Sequence, residues 1–218
     1  MVHLLSLRAP STSASASALP LLSGQRVLEL GAGVGVLGCV AARLGAAQVL
    51  VTDRREVLHL IERNIALNEL QRTAQAHELE WGHQAAITFA QQQQQQQQQG
   101  GFDVIIASDV IYNLSAAWLL LETLVHLSSE RTLILIAYRE RDPAEAEWFT
   151  RATQHFRISE ETMHPAWKDA ITFTPLHTPS RMETVTQAAA PGATISAAVK
   201  YASDTRPLRI LRLQKYAR

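Results

Sequence analysis

Apolar and polar positions along this chain fall into two alternating patterns. Short apolar runs such as RVLEL at 26–30, VLVT at 49–52 and FDVIIAS at 102–108 read as strands. Between them lie longer stretches whose apolar residues recur at helical spacing. The first of these predicts a helix over 34–44, with Val36, Leu37, Val40, Ala41 and Leu44 inward and Gly45 ending it. The second predicts a helix over 54–67 that buries Val57, Leu58, Ile61 and Ile65. Residues 72–81 make a weaker strand, and 102–108 is apolar enough for the middle of a parallel sheet covered on both faces. Residues 114–127 predict a strong helix with Leu114, Ala117, Trp118, Leu121, Leu124 and Val125 on one face, which places Trp118 in the core. A strand follows at 132–138. The next helix carries its own start signal: Asp142 as N-cap, Pro143 at the first position, Glu145 closing a capping box, then Phe149, Ala152 and Phe156 as the inner stripe.

Beyond 156 the pattern weakens. Strands are expected at 157–162 and 171–174, a Thr-, Ala-, Ser- and Pro-rich disordered insertion over about 175–205, and a closing strand over 207–215. The order of elements predicts an α/β fold, a doubly wound, mostly parallel Rossmann-like sheet with helices on both faces, forming one domain over 21–218. Two segments stand outside it. Residues 1–20 hold no acid and are rich in Ser and Ala; a disordered tail is expected there, with an organelle transit peptide as the alternative. A long loop is expected after Gly82; it contains the unbroken glutamine tract Gln91–Gln99, which has nothing apolar to bury and predicts a disordered surface insertion.

Composition narrows the function classes. Formal net charge is zero and no basic block stands out, so a large nucleic-acid footprint is not indicated. The one cysteine, Cys39, allows no internal disulfide and reads as core packing in a reducing compartment. No apolar run approaches the ~18 residues that a membrane helix needs. His77, His83 and the other histidines lack metal-ligand spacing, and no G-x-S-x-G nucleophile elbow occurs.

The chemistry concentrates at the ends of the predicted strands. Gly31, Gly33 and Gly35 are spaced G-x-G-x-G directly after the first strand, where a tight turn must let a ligand approach with no Cβ in the way. The dinucleotide fingerprint wants its third glycine one position later, and Val36 stands there, which argues against a nicotinamide oxidoreductase. Asp53 ends the next strand, where an acid can accept from both hydroxyls of a ribose. A helix N-cap with Glu56 completing a capping box is the simpler reading of that aspartate, and both can hold together. Trp81, Asp109 and Tyr112 follow later strands on the same edge. A turn, a ribose acid, a tryptophan and an acid with a tyrosine suit a sulfonium cofactor. Its methyl is already activated, so alignment and water exclusion are what remain to be supplied.

VLELGAGVGVLG, VTDR, LEWG and FDVIIASDVIY, in this order and spacing, resemble the seven-β-strand protein-lysine methyltransferases of the methyltransferase-like 21 type. The resemblance runs from about residue 21 to 156 and includes Arg139 and Arg141 after the fifth strand. Adenine and cytosine N-methyltransferases of this fold carry N/D-P-P-Y or a close relative where this chain has D-x-x-Y. The resemblance implies S-adenosylmethionine as cofactor, held by Glu29, Gly31, Ala32, Gly33, Asp53, Trp81 and Ser108. Gly31, Ala32 and Gly33 would surround its methionine part, Asp53 the ribose and Trp81 the adenine, with Ser108 beside it. Asp109 and Tyr112 would shape the acceptor channel, Asp109 either orienting the amine or accepting its proton. The implied partner is a protein offering a lysine, with chaperones and translation factors as candidate substrates, and neither nucleic acid nor membrane. A cytoplasmic monomer is expected, with the nucleus as a second location. The family also carries a tryptophan-bearing segment ahead of the glycine motif that closes over the cofactor, and the corresponding region here has no tryptophan. Another acceptor, or a non-catalytic binding protein on the same fold, are the alternative readings.

Overall fold

The apolar runs form the strands the pattern predicts, and β1 (Arg26–Leu30) and β2 (Gln48–Asp53) pair in parallel, with Leu30 opposite Thr52. The computed structural model describes residues 22–95, 101–161 and 208–217, all of which belong to one compact unit. Outside them lie the expected N-terminal tail, the end of the glutamine tract, the strand at 171–174 and the insertion at 175–205.

Five further strands, β3 (Ala74–Glu78), β4 (Val104–Ser108), β5 (Leu133–Tyr138), β6 (Phe156–Glu160) and β7 (Arg209–Lys215), complete one seven-stranded sheet in the order β3-β2-β1-β4-β5-β7-β6. All neighbours from β3 to β5 are parallel; β7 is antiparallel to both β5 and β6. The chain winds outward from β1 to β3, then returns to place β4 on the other side of β1. That reversal creates a crevice beyond the carboxyl ends of β1 and β4, where open α/β sheets bind ligands.

Helices cover both faces, as strands buried on both sides require. One face takes alternate strand residues, Leu28, Leu30, Ile105, Ala107, Ile134, Ile136, Leu211 and Leu213, into a core with α3 (His83–Gln95), α4 (Leu114–Leu127) and α5 (Ala146–Ala152). On the other, α1 (Val36–Arg43) and α2 (Leu58–Leu67) approach Val51, an ideal Cβ on Gly35 falling 3.2 Å from Val51 and 3.1 Å from Ile61.

Several expectations need correction. The loop expected after Gly82 is instead the helix α3, which starts at His83 and takes in Gln91–Gln95, and Gln93 is buried. Ala86, Phe89 and Gln93 share the inner face, and Gln93 accepts from the Arg26 guanidinium, which itself lies over the Phe102 ring. Glutamine is a fair helix former, so a helix started by an apolar face runs on into the tract. Val36 points outward at 55% exposure, leaving Leu37, Ala41 and the small residues Gly38, Cys39 and Ala42 to pack. Burial pushes the Cys39 thiol up, as suits a packing residue. Trp118 is only partly buried, with Arg151 stacked over its ring.

The α5 region differs more. Asp142 caps with its side chain, accepting from Ala144 N at 2.8 Å, but Glu145 closes no box. Its buried carboxylate turns inward and accepts from the Tyr138 hydroxyl at 2.6 Å and from Arg141 N at 3.1 Å. A buried phenol needs a partner, and this one takes the glutamate from the cap. A 3-10 turn over Pro143–Glu145 precedes α5 and shifts its phase. Trp148 is therefore the fully buried residue, while Phe149 is partly buried and Phe156 belongs to β6.

Candidate functional site

At the crevice the chain leaves β1 through three glycines, all with positive φ: Gly31 at 63°, Gly33 at 58° and Gly35 at 77°. Gly31 needs its missing side chain most. A Cβ there would stand 2.7 Å from the Trp81 indole and 2.9 Å from Val110, so the turn, the tryptophan and the residue after Asp109 are packed against one another. Backbone bonds fix the loop: Ala32 N donates to Thr52 O at 3.0 Å and Gly35 N to Ala32 O at 2.9 Å.

Asp53, at the carboxyl end of β2, accepts from Gly33 N through Oδ2 and from Arg54 N through Oδ1, each at 2.7 Å. The residue that caps the following 3-10 turn is Arg54, without a side-chain bond, so Asp53 serves the glycine turn and not a capping box with Glu56. An ionised carboxylate offers about four lone-pair sites, and two backbone bonds leave two free for ribose hydroxyls.

Glu29 lies beneath the turn, 3% exposed, and its Oε2 accepts from Gly38 N at 2.7 Å. Burial pushes its carboxyl up to about 8, the Gly38 N–H opposing and the nearby Asp53 charge adding to the rise. The sign follows from linkage: between its ordinary 4.5 and about 8 the folded form holds a proton that the unfolded form has lost. Stability from this group thus falls as pH rises through that window. Glu29→Gln is expected to match the natural protein near the bottom of the window and to exceed it near the top, read by denaturant unfolding at both pH values. Equal pH slopes for the two proteins would contradict this account of Glu29.

Across the crevice, β4 ends at Ser108, which is exposed, and Asp109 follows with φ 61°. A left-handed conformation is uncommon for a residue with a side chain, though aspartate tolerates it better than most. Two contacts hold it there. Asp109 N donates to Ala137 O at 3.0 Å, and the carboxylate is ion-paired with Arg141, beyond the end of β5. Tyr112 is 66% exposed on the rim, and Asn113 caps α4 by accepting from Ala116 N at 3.2 Å.

One cavity of about 610 Å³ joins these parts. Gly31, Gly33, Asp53, Trp81, Asp109 and Tyr112 line it together with Arg54, Val57, Leu79, Glu80, Val110, Asn113, Ala116 and Leu119. Six of the nine residues singled out from sequence therefore meet in one space; Glu29, Ala32 and Ser108 do not line it, Glu29 acting from below. Sequence reasoning passed over Leu119, which sits off the apolar stripe of α4 at 45% exposure, and the Asp109–Arg141 pair. No group of three or more metal-ligating side chains occurs among the described residues. His77 is partly buried against Phe89, and burial pushes its imidazole down. The cradle that a Cβ would fill, the ribose-type acid and the apolar wall suit a nucleoside-bearing ligand.

Residues 9–155 match the profile of a family described as lysine methyltransferase. Protein N-lysine methyltransferase METTL21A of Danio rerio is 37% identical over 142 residues, covering 64% of this chain and 61% of that protein. Protein-lysine N-methyltransferase EFM6 of Saccharomyces cerevisiae is 33% identical over 146 residues, covering 63% and 59%. The chain thus spans about three fifths of the length of the curated relatives it matches. Among solved structures, the S-adenosylmethionine-dependent methyltransferase SibL in its apo form aligns at TM-score 0.52 and 14% identity, covering 88% of this chain and 51% of SibL. An O-methyltransferase family protein from Burkholderia thailandensis aligns at 0.53 and 11%, covering the same shares. At those identities the likeness is one of fold.

Proposed function

Because this chain belongs to the lysine methyltransferase family, we propose that it transfers a methyl group from S-adenosylmethionine to a lysine side chain of a protein. The observation that carries the reading is the single cavity in which the glycine turn, Asp53 and Trp81 meet Asp109 and Tyr112. When bound, the sulfonium supplies an electrophilic methyl group, and the rest falls to the chain. Asp53 holds the ribose hydroxyls, the Gly31 turn admits the amino-acid portion, and Trp81 and Leu79 give the adenine an apolar wall.

The acceptor side must deal with a proton. A lysine attacks only as the neutral amine, yet its ordinary pKa is ~10.4. Val110 in the cavity wall, with Tyr112 and Leu119 at its rim, puts apolar surface in place of part of the water around an ammonium and so favours the reactive form. A protein lysine also suits an entrance rimmed by two exposed apolar residues, Tyr112 and Leu119, since a side chain enters there with its own backbone outside. We place the protein in the cytoplasm or nucleus, acting as a monomer on a protein substrate such as a chaperone or translation factor.

The acceptor is identified by incubating the purified protein with methyl-labelled S-adenosylmethionine and a cell extract, then mapping the label by mass spectrometry. Label on lysine Nζ is expected. Label confined to another protein atom or to small molecules would overturn the lysine assignment while leaving the cofactor in place.

A further inference from the structure

Asp109 enters the cavity wall already partnered. Arg141, which does not line the cavity, reaches it from behind, its Nη2 against Asp109 Oδ1. The arginine is itself held from below: its backbone N–H donates to the buried carboxylate of Glu145, which also accepts from the Tyr138 hydroxyl. Tyr138 is the last residue of β5 and is almost fully buried. A chain of bonds therefore runs from the sheet through Tyr138, Glu145 and Arg141 to Asp109, the carboxylate that follows β4 on the cavity wall.

A bare carboxylate facing an incoming lysine would hold it as the ammonium, because an opposite charge favours the charged form. An ammonium cannot attack a methyl group. With its charge offset by Arg141, the same carboxylate still has Oδ2 to accept an N–H and so orient the amine, without that bias. We propose that Arg141 is a positioning residue for the acceptor: it fixes Asp109 at the channel wall and offsets its charge, so that Asp109 orients a neutral amine instead of trapping a cation. Glu145 and Tyr138 set the arginine in place. The inference rests on the cofactor-site reading above and goes beyond it in assigning Asp109 the orienting role over that of proton acceptor.

Two cofactor analogues separate these ideas by binding alone. Sinefungin carries an amine where the sulfonium methyl stands, and S-adenosylhomocysteine carries nothing there, so the ratio of their dissociation constants reports how the acceptor side treats a cation. Calorimetry on the full chain should give the following. Arg141→Gln unmasks Asp109 and tightens sinefungin relative to S-adenosylhomocysteine by roughly threefold to tenfold. Asp109→Asn removes the carboxylate charge and keeps the guanidinium, and shifts the ratio by a similar factor the other way. Arg141→Lys keeps the charge and holds the ratio near that of the natural protein. S-adenosylhomocysteine affinity changes little in all three, which a merely structural defect would not allow. The side chains of Asp109 and Arg141 are 55% and 28% exposed, and thermal melting of each variant checks that it is folded. Unchanged ratios in both Arg141→Gln and Asp109→Asn, with S-adenosylhomocysteine still bound, overturn the positioning role and spare the cofactor site. Failure of the natural protein to bind either analogue overturns both.

Discussion

Asp53→Ala is expected to weaken S-adenosylmethionine binding by about 100-fold or more while leaving the protein folded. Hydrogen bonds to a charged group contribute about 1.5–3 kcal/mol each, and two ribose hydroxyls on one carboxylate correspond to at least two tenfold steps at ~1.4 kcal/mol per step. The carboxylate also anchors Gly33 N and Arg54 N, so its loss loosens the turn that faces the ligand. Asp53→Asn separates the two effects. The amide oxygen still accepts one backbone N–H but carries no charge, and an intermediate loss of about tenfold is expected. Affinity is measured by calorimetry and folding by thermal melting. An Asp53→Ala protein that binds as tightly as its parent would remove Asp53 from the site.

Trp148→Ala is expected to lower stability by about 3–5 kcal/mol, the range for deleting a fully buried aromatic ring. Trp148 is 0% exposed, and its Nε1 donates to Ala117 O at 2.7 Å. That carbonyl lies in the first turns of α4, just after Tyr112 and the Asn113 cap. The ring thus braces the helix that sets the acceptor rim as well as filling the space between α4 and α5. Trp148→Phe keeps most of the volume, loses the indole N–H and leaves Ala117 O without that partner, so a smaller loss of about 1–3 kcal/mol is expected. Urea unfolding of the three proteins at one pH reads both values. A Trp148→Ala loss below that of Trp148→Phe would show that the ring is not a core element.

Trp148 also shows where sequence stops being informative. The capping signal at Asp142 and Pro143 was legible, because caps are local chemistry. The helix phase after it was not, since a 3-10 turn advances by fewer residues than an α-turn and moves the buried stripe from Phe149 toward Trp148. The sheet was far more legible. Strands buried on both faces are written as apolar runs, and the runs ending in Leu30, Asp53 and Ser108 mark three adjacent strands. The glutamine tract misleads for the opposite reason: Gln93 is buried by a partner, Arg26, that lies far away in sequence.

The site divides along the same line. Gly31, Gly33, Asp53, Trp81, Asp109 and Tyr112 sit within or just beyond strand ends, and topology alone brings them to one edge. Glu29 could be placed near the turn but not below it, because its role depends on a bond to Gly38 across the strand-to-helix reversal. The Asp109–Arg141 pair joins two strand ends that neighbour each other only once β4 and β5 have paired. No spacing rule reaches such a contact.

Calorimetric titration of the purified, folded protein with S-adenosylmethionine tests most directly whether the cavity is a cofactor site. Saturable one-to-one binding in the micromolar range, strongly weakened by Asp53→Ala, is the expected result. No detectable heat at high micromolar cofactor, in a sample whose cooperative melting shows it to be folded, would contradict it.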